Sequence, residues 1–145
     1  MRAILQRVSR AEVRVDGELS GKIGTGLVVL VGFGHDDTPE LIPTAIKKIR
    51  ELRIFSDPDG KMNLSLDNIG GSMLAISQFT LYANCARGRR PDFTHAAPPK
   101  LAKHLYECFL QGLRDAGIPT QSGIFAADMK LELLNDGPVT IVLEF

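Results

Sequence analysis

The sequence predicts a single domain of the mixed α/β class over residues 1–145, with mixed and antiparallel β-rich sheets and two main helices. Its first third consists of short apolar runs and alternating segments between turn residues, which indicates several strands. Two later segments have the apolar spacing that is typical of amphipathic helices. No internal repeat, low-complexity tract or linker divides the chain, so we expect one hydrophobic core.

The first strands are predicted from alternation and from turn residues. Residues 2–9 have strand character, and Val13 and Val15 alternate with polar neighbours, as in a strand half covered by core. The Asp-Gly pair at 16–17 predicts a tight hairpin turn, because both of its central positions need positive φ. The β-branched run LVVLVGF at 27–33 predicts a strand that is covered on both faces.

Two helices are predicted from the spacing of apolar residues. The first is expected over 40–53 with Thr38 as its cap, and the second from about Pro99 to Ala116 with Gly117 as its left-handed stop. The predicted core stripe of the first is Ile42, Ala45, Ile46, Ile49 and Leu52. That of the second is Leu101, Leu105, Cys108, Phe109 and Leu113.

Between and after the helices the chain returns to strands. MLAIS at 73–77 predicts a buried strand, and an irregular basic loop follows it at 82–97. The segments KLELLN and VTIVLEF predict two final strands joined by residues 136–138.

Composition and charge exclude several classes of protein. The chain is 44% hydrophobic and 23% charged, as in soluble globular proteins. Seventeen basic residues balance seventeen acidic ones, so we do not expect contacts along a long stretch of nucleic-acid backbone. A local cluster of basic residues could still bind the end of a nucleic acid. Two distant cysteines, no signal peptide and no apolar run near the roughly 20 residues of a membrane span favour a reduced, cytoplasmic protein.

The usual nucleophile and metal systems are weakly supported. Cys108 lies on an apolar stripe and Cys85 in the basic loop, and we expect neither to be catalytic. His35, His95 and His104 belong to no motif with metal-ligand spacing, so we expect all three on the surface. No glycine-rich phosphate loop follows a strand, so no nucleotide cofactor is expected.

Two segments have both a structural and a functional interpretation. The segment SQFTL at 77–81 brings hydroxyl, amide and aromatic groups to the end of a buried strand, where open sheets bind ligands, or its polar groups satisfy a turn. The segment NDGPVT at 135–140 has the pattern of a hairpin turn. Alternatively, a cis Gly137–Pro138 bond and the missing Cβ of glycine would make it a rigid backbone probe near a ligand.

SQFTL and NDGPVT together resemble the two signature motifs of the D-aminoacyl-tRNA deacylase (DTD) family, and neither departs from the family's pattern. The resemblance runs along the whole chain. Supporting blocks are LQRVSRAEVRVDGE at 5–18, RIFSDPDGKMNLSL at 53–66, RGRRPDF at 87–93 and FAADMKLELLNDGPVT at 125–140.

The resemblance implies a DTD-like homodimer of three-layered α/β subunits that binds the 3′ end of tRNA without metal or cofactor. The implied activity is hydrolysis of D-aminoacyl-tRNA, and of glycyl-tRNA in some mischarged cases, while L-aminoacyl-tRNA is rejected. The implied site lies between subunits, with Ser77, Gln78, Phe79 and Thr80 of one and a Gly137-cis-Pro138 pair of the other.

Further roles are carried over with their simpler alternatives. Arg7 would hold the carbonyls of Gly137 and Pro138, or it is a solvated strand arginine. Phe125 and Met129 would contact the terminal adenosine. The arginines of the basic loop would hold acceptor-stem phosphates, or they form a solvated loop; they are Arg87, Arg89 and Arg90.

No side chain is an evident general base. The resemblance implies that a tRNA hydroxyl assists attack. The protein would then contribute position and an amide-lined oxyanion site, for which Thr80 and the backbone around Phe79 are our candidates. Three other hypotheses remain open from the residues: a non-catalytic tRNA- or RNA-binding module, an esterase using Ser77 or Thr80, and a structural protein whose Gly-Pro hairpin is a dimer contact.

Overall fold

A computed structural model describes residues 1–86 and 88–145, and it has the mixed α/β architecture that the sequence predicts. The two helices are α1 (Ile42–Glu51) and α2 (Pro99–Asp115). The strands are β1 (Arg2–Val15), β2 (Glu18–Ile23), β3 (Gly26–Gly32), β4 (Phe55–Ser56), β5 (Met62–Leu64), β6 (Ser72–Ser77), β7 (Thr120–Ser122) and β8 (Met129–Glu144).

The main sheet combines antiparallel and parallel pairing. Its strand order is β2-β1-β3-β6-β7, and β8 pairs with β1. The β1–β2 hairpin turns at Asp16 and Gly17, whose φ angles of 50° and 84° confirm the predicted turn. The pairs β3–β6 and β6–β7 are parallel, so the carboxyl ends of β3 and β6 lie at the same edge of the sheet.

Both faces of the central strands are buried, as predicted for residues 27–33. In β3, Leu27, Val29 and Val31 belong to the larger core cluster, which also contains the buried residues of both helices. Val28, between them, belongs to a second cluster on the opposite face, because successive side chains of a strand alternate. β6 alternates in the same way. Burial on both faces of the sheet explains why residues 27–33 form a continuous apolar run.

The helices agree with the predicted spacing but differ at their ends. α1 begins at Ile42, after a short 3-10 helix (Pro39–Leu41), and the Thr38 side chain makes no capping hydrogen bond, so that prediction was wrong. In α2, Leu105, Phe109 and Leu113 are buried as expected. The predicted core residues Leu101 and Cys108 are only half-buried; Ala102 and Tyr106 are buried in their place. Neither of these helices has the length and apolar character needed to cross a lipid bilayer.

The end of the chain corrects the sequence analysis. KLELLN and VTIVLEF belong to one strand, β8, and both pair antiparallel with β1. Asn135 pairs with Val8 and Thr140 with Gln6, so residues 136–139 form a bulge opposite the one remaining residue of β1. The hairpin interpretation of this segment is therefore wrong. Strands β4, β5 and β7 were not predicted, because they have two or three residues each and are too short to show a period.

Close contact between parallel strands predicts the effect of adding a methyl group at Gly26. A Cβ there would overlap the carbonyl oxygen of Ser72, whereas a Cβ on Gly24 would meet nothing within 4 Å. We expect Gly26→Ala to lower the free energy of unfolding by about 1–3 kcal/mol or more, and Gly24→Ala to change it by less than about 0.5 kcal/mol. Urea unfolding of both variants measures the difference, and equal midpoints would contradict the close approach.

Candidate active site

A cavity of about 680 Å³ opens at the carboxyl ends of β3 and β6. Ser77, Gln78 and Phe79 line one part of it, and Phe125 and Met129 line another. Five residues singled out from two distant sequence segments therefore surround one space. This volume lies within the range of about 300–1,000 Å³ that is typical of pockets for small organic ligands.

The strand end positions the polar residues of the cavity. The backbone N–H of Gln78 donates to the carbonyl of Val31 at 2.8 Å, which continues the β3–β6 pairing just beyond Ser77. A Cβ on Gly32 would lie 2.7 Å from the carbonyl oxygen of Gln78. The close approach of these two segments of the backbone therefore requires glycine. The chain then bends into a 3-10 helix (Phe79–Tyr82).

Thr80 lies beside the cavity and is not among its lining residues. Its hydroxyl accepts a hydrogen bond of 2.5 Å from the Nε2 of Gln78. Within the described residues, the backbone N–H groups of Phe79 and Thr80 have no protein acceptor, as expected for the first amides of a helical turn. The arrangement presents two free amides and a paired hydroxyl next to the Ser77–Phe79 wall.

An aromatic residue that the sequence analysis passed over closes the wall beside Phe79. The ring of Phe93 meets that of Phe79 edge-on, with centroids 5.0 Å apart. The backbones of Asn84 and Asp92 pair in both directions and close the intervening loop. The block RGRRPDF, quoted above only for its family resemblance, was the available signal for this contact.

The wall around Phe125 is backed by a tyrosine of α2. The Tyr106 ring lies 6.1 Å from that of Phe125, and its hydroxyl donates to the carbonyl of Ala75 at 2.9 Å. Burial raises the pKa of Tyr106 to about 12, so this hydroxyl stays protonated and keeps donating. A Cβ on Gly123 would collide with the sulfur of Met129, so the chain closes tightly around this end of the cavity.

The second signature segment, residues 135–140, lies mainly at the surface of the chain. The Gly137–Pro138 peptide bond is cis, and Gly137 has a φ of 129°, which favours glycine. Asp136, Gly137 and Pro138 are exposed. Neither Gly137 nor Pro138 lines the cavity of its own chain.

Arg7 anchors the bulge from inside the protein. Its side chain is buried; Nε donates to the carbonyl of Asp136 at 2.8 Å and a terminal nitrogen donates to the carbonyl of Ile54 at 2.7 Å. The interpretation as a solvated arginine is therefore wrong. The predicted contact is also corrected, because the carbonyl that Arg7 holds in the bulge is that of Asp136 and not those of Gly137 or Pro138.

Asn135 ties the two ends of the bulge together. Its Oδ1 accepts the backbone N–H of Val139 at 2.8 Å, and its Nδ2 donates to Oε1 of Gln6 at 2.7 Å. No separate role was predicted for Asn135, although it opens the motif NDGPVT. Together with Arg7 it gives the exposed turn a fixed base.

The remaining candidates lie outside the cavity. Arg89 and Arg90 are exposed, and neither is among the lining residues; Arg87 lies outside the described residues. All three histidines are exposed, as expected. Across residues 1–86 and 88–145, no three carboxylate, thiol or imidazole side chains are grouped as metal ligands.

Comparison with known proteins decides the family. A model of the family described as D-Tyr-tRNA(Tyr) deacylase matches residues 4–144. The chain belongs to this deacylase family. A D-aminoacyl-tRNA deacylase of Chlorobaculum tepidum is 52% identical over 99% of the chain and 97% of its own length. One of Geobacter sulfurreducens is 54% identical over 99% of the chain and 95% of its length.

Solved structures agree with the architecture. The c-Myc DNA Unwinding Element Binding Protein superposes with a TM-score of 0.94 at 40% identity and covers 100% of this chain and 99% of its own. A probable eukaryotic D-amino acid tRNA deacylase superposes with a TM-score of 0.86 over 98% of this chain and 97% of its own, at 21% identity, which supports the fold alone.

Membership of the deacylase family confirms two predictions: the family itself, and an enzyme of the hydrolase class. The hypothesis of a non-catalytic binding module is therefore wrong. The roles of individual residues in this deacylase stay predictions, although the structure gathers several of them at one cavity.

Replacing Arg7 tests the anchoring of the bulge. Arg7→Ala removes two charge-assisted hydrogen bonds and leaves two carbonyls without their donor, so we expect unfolding to require about 3 kcal/mol less free energy. Arg10→Ala, at an exposed position of the same strand, should change it by less than about 0.5 kcal/mol. Urea unfolding gives both values. Amide exchange at Val139 should accelerate in Arg7→Ala alone, and unchanged exchange there would refute the anchor.

Proposed function

We propose that this deacylase hydrolyses the ester bond of D-aminoacyl-tRNA, and of mischarged glycyl-tRNA, to release free tRNA and the amino acid. The observation that carries the proposal is the cavity, which joins a polar end at Ser77–Phe79 to an apolar end at Phe125 and Met129. An aminoacyl-adenosine has the same division, with a polar ester at one end and a flat base at the other. An aminoacyl-adenosine is also of a size that a cavity of this volume accommodates.

The ester would lie against the strand end. Free backbone N–H groups at Phe79 and Thr80 are suited to stabilise the negative charge that develops on the carbonyl oxygen during attack. The aminoacyl ester is already activated and sits beside a ribose hydroxyl, which assists the attacking water. The protein then contributes mainly position, with no side chain as general base.

A second copy of the chain completes the site in this proposal. Among the described strands, β8 pairs with β1 alone, so its other edge carries unpaired backbone groups. Leu134 and Val142 on this strand are 48% and 65% exposed, and Gly137 and Pro138 lie between them. A homodimer of three-layered subunits would cover these residues. It would also bring the Gly137–Pro138 turn to the partner's cavity.

The turn would act as a wall against one enantiomer. When a site fixes the amino group and the ester carbonyl, the side chain of a D-amino acid points away from the wall and that of an L-amino acid points into it. Backbone atoms cannot move aside as side chains do, and here the hydrogen bonds of Arg7 and Asn135 hold the two ends of the turn. Rejection would therefore be steric. Glycine has no side chain to reject and is hydrolysed.

Two exposed arginines support contact with the tRNA beyond its terminal nucleotide, and two free cysteines bear on where the protein works. Arg89 and Arg90 are exposed and closely precede Phe93 of the cavity wall in the chain, and their charges suit phosphates of the acceptor end. Both cysteines are free thiols, which supports the cytoplasm as the working compartment.

The proposed wall predicts strong enantiomer selectivity. D-tyrosyl-tRNA should be hydrolysed and L-tyrosyl-tRNA spared. A Cβ on Gly137 would lie 2.8 Å from a terminal nitrogen of Arg7 and 2.9 Å from Cγ2 of Val139, so Gly137→Ala should displace the wall and reduce the selectivity. Gly60→Ala is the matched control, because Gly60 also has positive φ but no neighbour within 4 Å. Release of labelled amino acid measures the hydrolysis rates of the wild type, Gly137→Ala and Gly60→Ala on both enantiomers. Comparable wild-type rates on both enantiomers would disprove the proposal.

The paired hydroxyl of Thr80 predicts a modest role in catalysis. We expect Thr80→Ala to lose less than about 100-fold in kcat, the lower range for removal of one oxyanion donor, whereas loss of a true nucleophile costs about 10⁶-fold. Single-turnover hydrolysis of D-aminoacyl-tRNA measures the rate. The esterase hypothesis requires the opposite: abolished activity in Thr80→Ala or Ser77→Ala, and an acyl-enzyme adduct visible by mass spectrometry of the wild type.

A further inference from the structure

One residue of the cavity wall has a backbone conformation that its side chain does not favour. Ala126 has a φ of 62°, in the left-handed region. The other described non-glycine residue with positive φ is Asp16, at the β1–β2 hairpin turn, and aspartate tolerates this region because its side chain bonds locally. Alanine has no such compensation. Its Cβ makes the left-handed conformation less stable by about 1–2 kcal/mol.

The local turn favours glycine at position 126. The N–H of Ala127 donates to the carbonyl of Ile124 at 3.2 Å, so Ala126 is the third residue of a four-residue turn. Glycine is the preferred residue there when φ is positive. The chain does use glycine three residues earlier, at Gly123, where Met129 approaches closely. An alanine at 126 is therefore unfavourable for the turn itself.

The surroundings hold the strained turn in place at the cavity. Phe125, immediately before it, packs near the buried Tyr106, and Met129, just after it, lies against Gly123. Ala126 is exposed and is itself among the residues that line the cavity. Unfavourable backbone conformations that a structure maintains at a ligand cavity are often part of its function.

We propose that Ala126 is a substrate-binding residue whose methyl group narrows the Phe125–Met129 end of the cavity around the terminal nucleoside of the substrate, at the expense of fold stability. The identity of that nucleoside as the 3′-terminal adenosine rests on the proposed function. The strain and the position of Ala126 do not.

The proposal predicts opposite effects of one substitution on stability and on binding. Ala126→Gly relieves the backbone and should raise the melting temperature by about 2–4 °C. It also removes one methyl contact, which is worth about a fourfold change in affinity for a buried group of this size. We therefore expect a KM for D-aminoacyl-tRNA about fourfold higher, with kcat nearly unchanged.

Two further variants separate the methyl group from the backbone. Ala126→Ser keeps the Cβ and therefore the strain, so its melting temperature should stay near that of the wild type. Ala127→Gly removes a methyl group from a neighbouring lining residue that lacks positive φ, and glycine gives the unfolded chain more conformational freedom, so its melting temperature should fall. The sign of the melting-temperature change therefore distinguishes relief of strain from simple loss of a side chain.

The experiment combines thermal unfolding, steady-state kinetics and calorimetric titration with 3′-D-alanylamino-3′-deoxyadenosine, whose amide replaces the labile ester. Higher melting temperature with weaker binding in Ala126→Gly, and no rise in melting temperature in Ala126→Ser, supports the proposal. Unchanged affinity in Ala126→Gly would overturn the binding role, and a lower melting temperature would overturn the strain. If the wild type hydrolyses no D-aminoacyl-tRNA, the proposed function fails by itself, while the titration and melting data still test Ala126.

Discussion

The buried guanidinium of Arg7 is the contact on which the arrangement of the candidate site depends. It joins the carbonyl of Asp136, in the bulge of β8, to the carbonyl of Ile54, from a distant part of the chain. A buried charged donor is tolerated only where acceptors surround it, so its two bonds are demanding in geometry. This demand fixes where the exposed Gly137–Pro138 turn leaves the strand. If this turn forms the proposed substrate wall, its base must not move.

The cavity depends on a different feature, the parallel pairing of β3 with β6. Parallel neighbours bring their carboxyl ends to one edge of the sheet, and the helices cover one face, so the space beyond Ser77 is bounded by strand ends, by Phe93 and by the segment around Phe125. The polar groups at the strand end and the apolar groups opposite come from distant parts of the sequence. Their meeting is what makes an ester of a nucleoside a reasonable occupant.

Stability and function are separated along the chain. Gly26 and Gly32 appear where strands or loops approach so closely that any side chain would collide, so their absence of a Cβ serves packing. Ala126 is the reverse case, because the backbone favours glycine and a methyl group is present. The strand residues of the core follow packing alone. Ala126 thus departs from local preference at the cavity, where a departure can serve a ligand.

Much of the fold followed from the sequence because periodicity, turn residues and burial are local properties. The helices, the Asp16–Gly17 turn and the doubly covered strand at 27–33 were readable in this way, and the two motifs indicated the family. The sequence alone left open how β8 pairs. Only tertiary pairing with β1 turned the expected hairpin at 136–138 into a bulge, and only the fold buried Arg7 and aimed it at Asp136. Phe93, Asn135 and the conformation of Ala126 were equally hidden, because long-range contacts and backbone angles leave no periodic signal in the chain.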